Sequence, residues 1–372
     1  MSTTIDVDAR IDEVTARTYE IPTDAPEADG TLSWSSTTLV LAEVVAGGLR
    51  GIGYTYASGA CRDLVTGPLA SAVSGRGALD ITGSWQAMVI AMRNNGRPGL
   101  ASCAISAVDT ALWDLKGRLL GLPVCRLLGQ ARADVPIYGS GGFTTYDDRQ
   151  TRAQLERWVG EWRIPRVKIK IGESWGSDER RDLARIALAR KVIGPDTELY
   201  VDANGGYRRK QAIRMAHAMA EQDVTWFEEP VSSDDLAGLR EVRDQVSPDV
   251  TAGEYGYDLA YFNRMLAADA VDCLQIDVTR CGGITDWVRA AAVAAARNVD
   301  VSGHCAPNLH AHVAAAVPNL RHLEYFHDHH RIEHMLFDGA LSPERGALRP
   351  DPQRPGLGLD LKESDAAGFR VA

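Results

Sequence analysis

Three times between Leu199 and Gly256 an apolar run ends on a carboxylate. Tyr200-Val201 gives way to Asp202, Trp226-Phe227 to Glu228, and Thr251-Ala252-Gly253 to Glu254. Successive acids are 26 residues apart, about the length of one strand, one helix and their two loops. The spacing predicts that they occupy the same end of three consecutive βα units. Between the second and third acids, residues 234–246 place Leu236, Leu239, Val242 and Val246 on one helical face, and Ser232 with Asp235 reads as a capping box. In a closed parallel barrel the carboxyl ends of neighbouring strands converge on one mouth. Three carboxylates gathered there repel one another unless a hard divalent cation sits between them. The alternative is three solvated acids, each starting a loop; the repeated strand-end position favours the metal.

A chain of 372 residues has room for a full barrel and a second, smaller domain. Its net charge of −10, with nothing resembling a basic patch, excludes nucleic acid as a partner. No apolar run approaches membrane-spanning length, and residues 1–10 are polar and acidic, unlike a signal peptide. The cysteines Cys61, Cys103, Cys125, Cys273, Cys281 and Cys305 form no C-x-x-C pair, which predicts reduced thiols in a cytoplasmic enzyme.

The first third differs in pattern from the rest. Residues 11–20, 37–45 and 49–56 read as strands, the last two joined by a tight turn at Ala46-Gly47-Gly48. Helical patterns follow at 63–73, 85–92 and 101–119, the last with Ile105, Val108, Ala111, Leu112 and Leu115 on one face. Strands followed by helices predict a separate α+β domain over residues 1–130. Residues 22–34, rich in turn formers, read as a mobile loop. From Val135 the pattern alternates, with strands expected at 135–139, 166–171, 199–201, 225–227, 250–252, 273–276, 299–302 and 322–323. Helical stripes such as Ile284, Trp287, Val288, Ala291, Ala292 and Ala295 separate most of them. This predicts a barrel over residues 131–330, followed by a Pro- and Gly-rich tail, 331–372, that returns to the first domain.

Other residues carry chemistry. In Val167-Lys168-Ile169-Lys170-Ile171, alternation puts both lysines on one face of the second barrel strand and the aliphatics on the other. Aliphatics packed on the helices leave the ammonium groups in the barrel core or at its mouth. They serve there either as structural ion pairs or, if one positive charge depresses the pKa of the other, as a base. Strand six ends at Asp277 and strand seven runs into His304, a pairing that fixes one imidazole tautomer and sets up a general acid or base. Glu324 ends strand eight, and Asn204 lies two residues past Asp202, where its amide could meet a ligand hydroxyl.

Taken in order, Lys168-x-Lys170, Asp202-x-Asn204, Glu228-Glu229-Pro230, Gly253-Glu254, Asp277 with Gly282-Gly283 after it, His304 and Glu324 resemble the mandelate racemase subgroup of the enolase superfamily, over nearly the whole chain. The resemblance implies an α/β fold, a modified TIM barrel of (β/α)7β form with an N-terminal α+β capping domain completed by the C-terminal tail. It implies that Asp202, Glu228 and Glu254 bind Mg²⁺, that Lys170 is the base on one face of the substrate, and that His304 with Asp277 acts on the other. Lys168 would contact the substrate carboxylate, Glu324 would hydrogen-bond the developing enediolate, and Ser140 and Asn204 would contact substrate. The implied partners are a small-molecule carboxylate and further copies of the chain. The implied first step is abstraction of an α-proton, leading most simply to dehydration of a sugar acid, an aldonate or aldarate, to a 2-keto-3-deoxy acid. Residues 31–36 and 54–58 would form a polar lid. Racemisation or epimerisation of a 2-hydroxy acid, and cycloisomerisation of a sugar lactone, are the alternatives. The lactonizing branch of the superfamily commonly has a lysine where this chain has Asp277, and retention of Lys168, Lys170, Asp277 and His304 argues against a merely binding protein.

Some histidines stand outside this pattern. His327, His329 and His330 cluster after Glu324, as a second metal site or, preferably, as a loop contacting substrate or a neighbouring subunit. His310 and His312 read as packing or surface residues.

Overall fold

The computed structural model describes residues 8–371. Strands β1 (Ile11–Ala28), β2 (Ser33–Ala46) and β3 (Leu49–Tyr56) form an antiparallel meander. Its second hairpin turns at Gly47-Gly48, with Ala46 facing Leu49. The helix Ser102–Leu120 lies across this sheet, burying Ile105, Val108, Ala111, Leu112 and Leu115 against Val40, Ala42 and Val44.

The first hairpin corrects the sequence reading. Residues 22–34 are not a loop: β1 runs to Ala28, and Glu27 pairs with Trp34 and Ala28 with Ser33, after an irregularity between Pro22 and Glu27. Proline is tolerated at a bulge and where the other edge of the strand is free, and here the second neighbour of β1 reaches only Thr18 and Tyr19. The true turn spans Asp29 to Leu32, where Asp29 Oδ1 accepts from the amides of Thr31 (2.6 Å) and Leu32 (2.7 Å). This tip docks on the barrel, with Trp175 N donating to Gly30 O (2.9 Å) and Thr144 Oγ1 to Asp29 O (2.8 Å).

Eight parallel strands follow: β4 (Val135–Gly141), β5 (Arg166–Lys170), β6 (Glu198–Asp202), β7 (Val224–Glu228), β8 (Asp249–Ala252), β9 (Cys273–Ile276), β10 (Asp300–Gly303) and β11 (Leu320–Phe326). Each pairs with the next, and β11 closes on β4 through Leu323 opposite Ile137. The fold is thus the modified TIM barrel with an N-terminal cap that the sequence implies. Aliphatic residues such as Val167, Ile169, Leu199 and Val201 face the surrounding helices. Inside, below the mouth, Tyr138, Tyr200, Trp226 and Cys273 form a separate buried layer in which Tyr200 stacks on Trp226 at 5.2 Å. His322 fills that layer, its ring nitrogens bonded to Tyr200 Oη (3.3 Å) and Ser302 Oγ (3.0 Å).

Two further local readings change. The helix after β7 is Leu236–Arg243, and its N-cap is Asp235, which accepts from Gly238 N at 3.0 Å; Ser232 belongs to the preceding turn, accepting from Asp234 N, so no capping box forms. His327, His329 and His330 lie on a helix, His327–Leu336, rather than a loop. Beyond it, β12 (Phe337–Asp338) pairs with β14 (Asp360–Leu361), β13 (Ala347–Leu348) pairs with β4, and β15 (Arg370–Val371) pairs with β1. Leu357 N donates to Asp114 on the long cap helix (2.6 Å), tying the tail to the cap.

The contact between that helix and β3 makes opposite forecasts for two glycines. A Cβ on Gly53 would lie 2.3 Å from Ala107 O and 2.4 Å from Ala111 N, backbone atoms that cannot yield cheaply, whereas one on Gly83, inside the helix Ile81–Ala91, meets nothing within 4 Å. Gly53→Ala is expected to destabilise by about 2 kcal/mol or more. Gly83→Ala should stabilise by roughly 0.5–1 kcal/mol through helix propensity. Urea denaturation of both variants checks the pair; equal shifts would contradict the packing described.

Candidate active site

The three spaced acids converge. Asp202 and Glu228 end β6 and β7, and Glu254 follows β8 by two residues. Gly253 turns the chain between Ala252 and Glu254 at φ 137°, where a Cβ would strike Gln275 O at 2.1 Å. All three side chains are buried, and each offers an oxygen within 4.8 Å of the other two.

Both lysines point into this cluster. Lys168 bonds Glu228, sits 2.8 Å from Glu324 Oε1 and 3.5 Å from Asp202 Oδ2, and lies 5.2 Å from the Tyr138 ring below. It is wholly buried and does not line the open cavity, whereas Lys170 does, with its Nζ 2.5 Å from Asp202. Across the mouth, His304 Nδ1 meets Asp277 Oδ2 at 2.8 Å, and its Nε2 faces Glu254 (3.2 Å) and Glu324 (3.7 Å). Asp277 Oδ1 is held by the amide and hydroxyl of Thr279, both at 2.7 Å. Glu324 accepts from Ser140 Oγ (2.6 Å) and Cys305 N (3.0 Å). Asn204 lines the cavity with its side-chain oxygen buried and unpartnered. The acids, lysines, Asn204, Ser140 and His304 singled out from the sequence are therefore at the mouth, in two layers, with Asp202 and Glu228 in the lower one. Lys168, Ser140, Asp277 and Glu324 lie beneath, while Lys170, Asn204, Glu254 and His304 line the cavity.

The electrostatics correct one expectation. Burial pulls Lys170 down and Lys168 adds to that, but Asp202, together with Glu324 and Glu228, outweighs both and holds Lys170 above the ordinary lysine range. The depressed lysine expected from like-charge repulsion is not found, because the carboxylate is in direct contact. Burial, with Asp202 as a second cause, pushes Glu228 up to about 8. Burial also disfavours charge on His304, but Glu254, Glu324 and Asp277 together raise it well above the usual imidazole value.

The donor set fits a hard cation. Six acids, Asp202, Glu228, Glu229, Glu254, Asp277 and Glu324, crowd against Lys168, Lys170, Arg280 and His304, more carboxylates than the cations can hold ionised, and burial with this crowding pushes Glu228 and Glu229 up. Three carboxylates with no nitrogen or sulfur donor match the preference of Mg²⁺. A neighbouring trio, His304, Cys305 and Glu324, is equally close. There, however, burial raises the thiol above its usual value and Sγ donates to Glu324 (3.3 Å), leaving a poor ligand.

Strain marks the same place. Asn204, Glu229, Cys305 and Ala306 all have positive φ, the last two consecutive and directly after His304.

The sequence reading did not find Arg280, which reaches Glu254 Oε1 and Asp277 Oδ2, each at 3.3 Å. Its position three residues past Asp277, on the turn before Gly282-Gly283, was the available signal. The lid read from residues 31–36 and 54–58 is in place: Trp34, Ser36, Tyr56 and Ser58, with Thr37 just outside those ranges, line a cavity of about 330 Å³ over the mouth. The histidine cluster does not form one site. His329 stacks on Tyr56 at 3.5 Å, His330 stacks on Tyr325 at 4.7 Å, and His327 pairs with Asp24 at 3.0 Å. Asp24, Glu27 and His327 do bring donor atoms within 4.8 Å, but Glu27 is held by Trp34 Nε1 (2.7 Å). His310 and His312 are buried packing residues.

A closed parallel barrel with an α+β cap and an acidic mouth is the architecture of the enolase superfamily. Two family models match: Enolase C-terminal domain-like over residues 150–365, and Mandelate racemase / muconate lactonizing enzyme, N-terminal domain, over residues 13–129. The chain belongs to the mandelate racemase/muconate lactonizing enzyme family and is an enzyme of that family. It is 32% identical over 319 residues to the 3,6-anhydro-α-L-galactonate cycloisomerase of Streptomyces coelicolor, covering 84% of this chain and 86% of that one. Among solved structures, a mandelate racemase/muconate lactonizing enzyme-like protein from Rubrobacter xylanophilus matches with a TM-score of 0.94 at 48% identity, over 97% of this chain and 100% of that one. The L-talarate/galactarate dehydratase of Salmonella typhimurium LT2, liganded with Mg and L-lyxarohydroxamate, matches with a TM-score of 0.89 at 27% identity, over 100% and 95%. Among the described residues no helix is long and apolar enough to cross a membrane.

Glu27, at the rim, supplies a pH test. Burial, aided by Asp328 and Asp24, pushes its carboxyl up to about 9. The folded state thus retains a proton that the unfolded chain releases from about pH 4.5, so stability falls as pH rises between those values. Glu27→Gln removes the dependence. Relative to the variant, the wild type should lose about 1.4 kcal/mol or more between pH 5 and pH 8 in urea denaturation; a constant difference would place the proton elsewhere.

Proposed function

We propose that this enzyme removes the α-proton of a sugar acid and expels the β-hydroxyl, giving a 2-keto-3-deoxy acid. The observation that carries this is the presence of Lys170 and His304 in one cavity, on the second and seventh barrel strands, with the carboxylate trio between them in strand order. Asp202, Glu228 and Glu254 would hold Mg²⁺, which when bound supplies fixed positive charge against the substrate carboxylate as the α-carbon becomes electron-rich. The chain's own groups do the rest. Lys170 or His304, in its neutral form, takes the proton, and the C–H electron pair becomes the C=C bond of an enediolate. That pair then expels hydroxide, which leaves as water with a proton from the protonated base, and the resulting enol tautomerises to the ketone. Asp277 keeps Nδ1 of His304 protonated, so that Nε2 faces the cavity. Lys168 would oppose the substrate carboxylate. Glu324, 2.8 Å from the Lys168 ammonium, would hydrogen-bond the developing enediolate as a protonated carboxyl. Ser140 holds Glu324 in place, and Asn204 offers its free oxygen to a substrate hydroxyl.

Cycloisomerisation is the second reading, favoured by the Streptomyces relative; it begins with the same proton abstraction. In this proposal residues 1–130 and 331–372 form the cap and 131–330 the catalytic barrel. The exposed Leu32 and Trp175 beside the mouth offer a face for a second copy of the chain, and six free, buried cysteines suit a reducing cytoplasm.

The test is a screen of aldonic and aldaric acids with Mg²⁺ for 2-keto acid formation, combined with NMR of α-deuterium incorporation from D₂O. Lys170→Met and His304→Asn should each lower turnover by about 10²-fold or more. Each variant should retain exchange only for the epimer whose α-proton faces the remaining base. Exchange of both epimers at the wild-type rate in both variants would remove these residues from the mechanism. Glu228→Gln should lower Mg²⁺ affinity and activity together while leaving the fold intact by circular dichroism.

A further inference from the structure

The cavity has two ends of unlike chemistry. At the barrel end, Lys170, Arg280 and His304 line it, and each is already committed: Lys170 to Asp202 at 2.5 Å, Arg280 to Glu254 and Asp277, and His304 to Asp277 and Glu254. Among the described residues the cap end carries no cation. Its lining from β1 to β3 is neutral apart from Asp29, an acid. His329, at the rim, stacks on Tyr56, and its Nδ1 accepts from Ala306 N (3.2 Å). Burial pushes it down to about 3, so it is neutral.

The hydrogen-bond polarity of the cap wall points the same way. Thr37 spends its hydroxyl proton on Asp328, Ser36 its own on Glu20 (3.0 Å), and Trp34 Nε1–H goes to Glu27 (2.7 Å). Thr37 and Ser36 therefore present lone pairs to the cavity, with acids behind them. A sugar hydroxyl can donate to such a wall, but a carboxylate, which only accepts, cannot. The donors left are neutral hydroxyls, the buried and unpartnered Tyr56 Oη with Thr38 and Ser58, the last accepting from Ala60 N; they suit hydroxyl oxygens and bring no positive charge to a carboxylate. A second carboxylate would be buried beside like charge with no cation to offset it.

We propose, resting on the function proposed above, that the cavity selects a sugar mono-acid, an aldonate whose far end is a neutral polyol, and rejects the di-acid of the same configuration. The comparison is made on the Mg²⁺-loaded enzyme with matched pairs, galactonate against galactarate and gluconate against glucarate, by kcat/KM and by calorimetric binding. Within the pair that is turned over, the mono-acid should be favoured by about 100-fold or more. Thr37→Arg, or Ser58→Arg if the first does not fold, should raise the di-acid at least tenfold relative to the mono-acid. A wild-type enzyme that handles the di-acid equally well or better overturns this inference and leaves the proposed dehydration standing. Absence of turnover, α-proton exchange and binding for both members of every pair overturns the proposed function, and the inference with it.

Discussion

Each of Asp202, Glu228 and Glu254 is removed from water, and an ionised carboxylate in that position is costly unless positive charge stands beside it. Two lysines, an arginine and an imidazole are drawn in to meet that cost. They do not suffice to hold every carboxylate ionised, since Asp277, Glu324 and Glu229 share the same few ångströms, and Glu229 is pushed well up by burial and the neighbouring acids. The barrel tolerates the arrangement because each charged group is anchored at a strand end, and the strands are themselves rigid. Below the charges, the aromatic layer of Tyr138, Tyr200 and Trp226 seals the interior, so the ammonium of Lys168 rests on a ring face instead of opening a void.

Burial fixes which way each group leans. Glu228 drifts toward the neutral form, Glu324 is held ionised by Lys168 despite burial, and His304 is pulled toward the cation by the acids around it. Neighbouring acids in nearly the same surroundings are thereby given different characters, which is what acid–base chemistry at one carbon requires. The positive φ values at Cys305 and Ala306, immediately after His304, are the backbone counterpart of this constraint.

Much of this was legible in the chain. A 26-residue repeat of apolar run and acid can hardly be read except as successive βα units, and the alternation around Lys168 and Lys170 put both ammonium groups inside. Where the reading failed, the deciding interaction was distant in sequence. Residues 22–34 look like a loop because Pro22, Asp24 and Pro26 dominate their composition, yet pairing of Glu27 and Ala28 with Trp34 and Ser33 makes a hairpin of them. The sign of the shift on Lys170 depends on Asp202, 32 residues away, being nearer in effect than Lys168, two residues away. The lid segments 31–36 and 54–58 were assigned, but not Thr37 and Thr38 or the particular side chains that face inward, because nothing local tells which face of β2 and β3 overlies the barrel.

The pairing of β15 with β1 sets Val371 against Thr18. Between those partners lies nearly the whole barrel, so the closing of this sheet edge is a contact of very long range, late to form because so much chain must first be ordered. During synthesis the outer edge of β1 near Thr18 stays open until residues 370–371 have left the ribosome. A nascent barrel is therefore finished before its cap is sealed, and for that interval an unpaired strand edge is exposed to any other extended chain. Arg17, which bonds Glu43 on β2 and Glu363 beside that last strand, places a charge on the waiting edge, the kind of device that discourages edge-to-edge association.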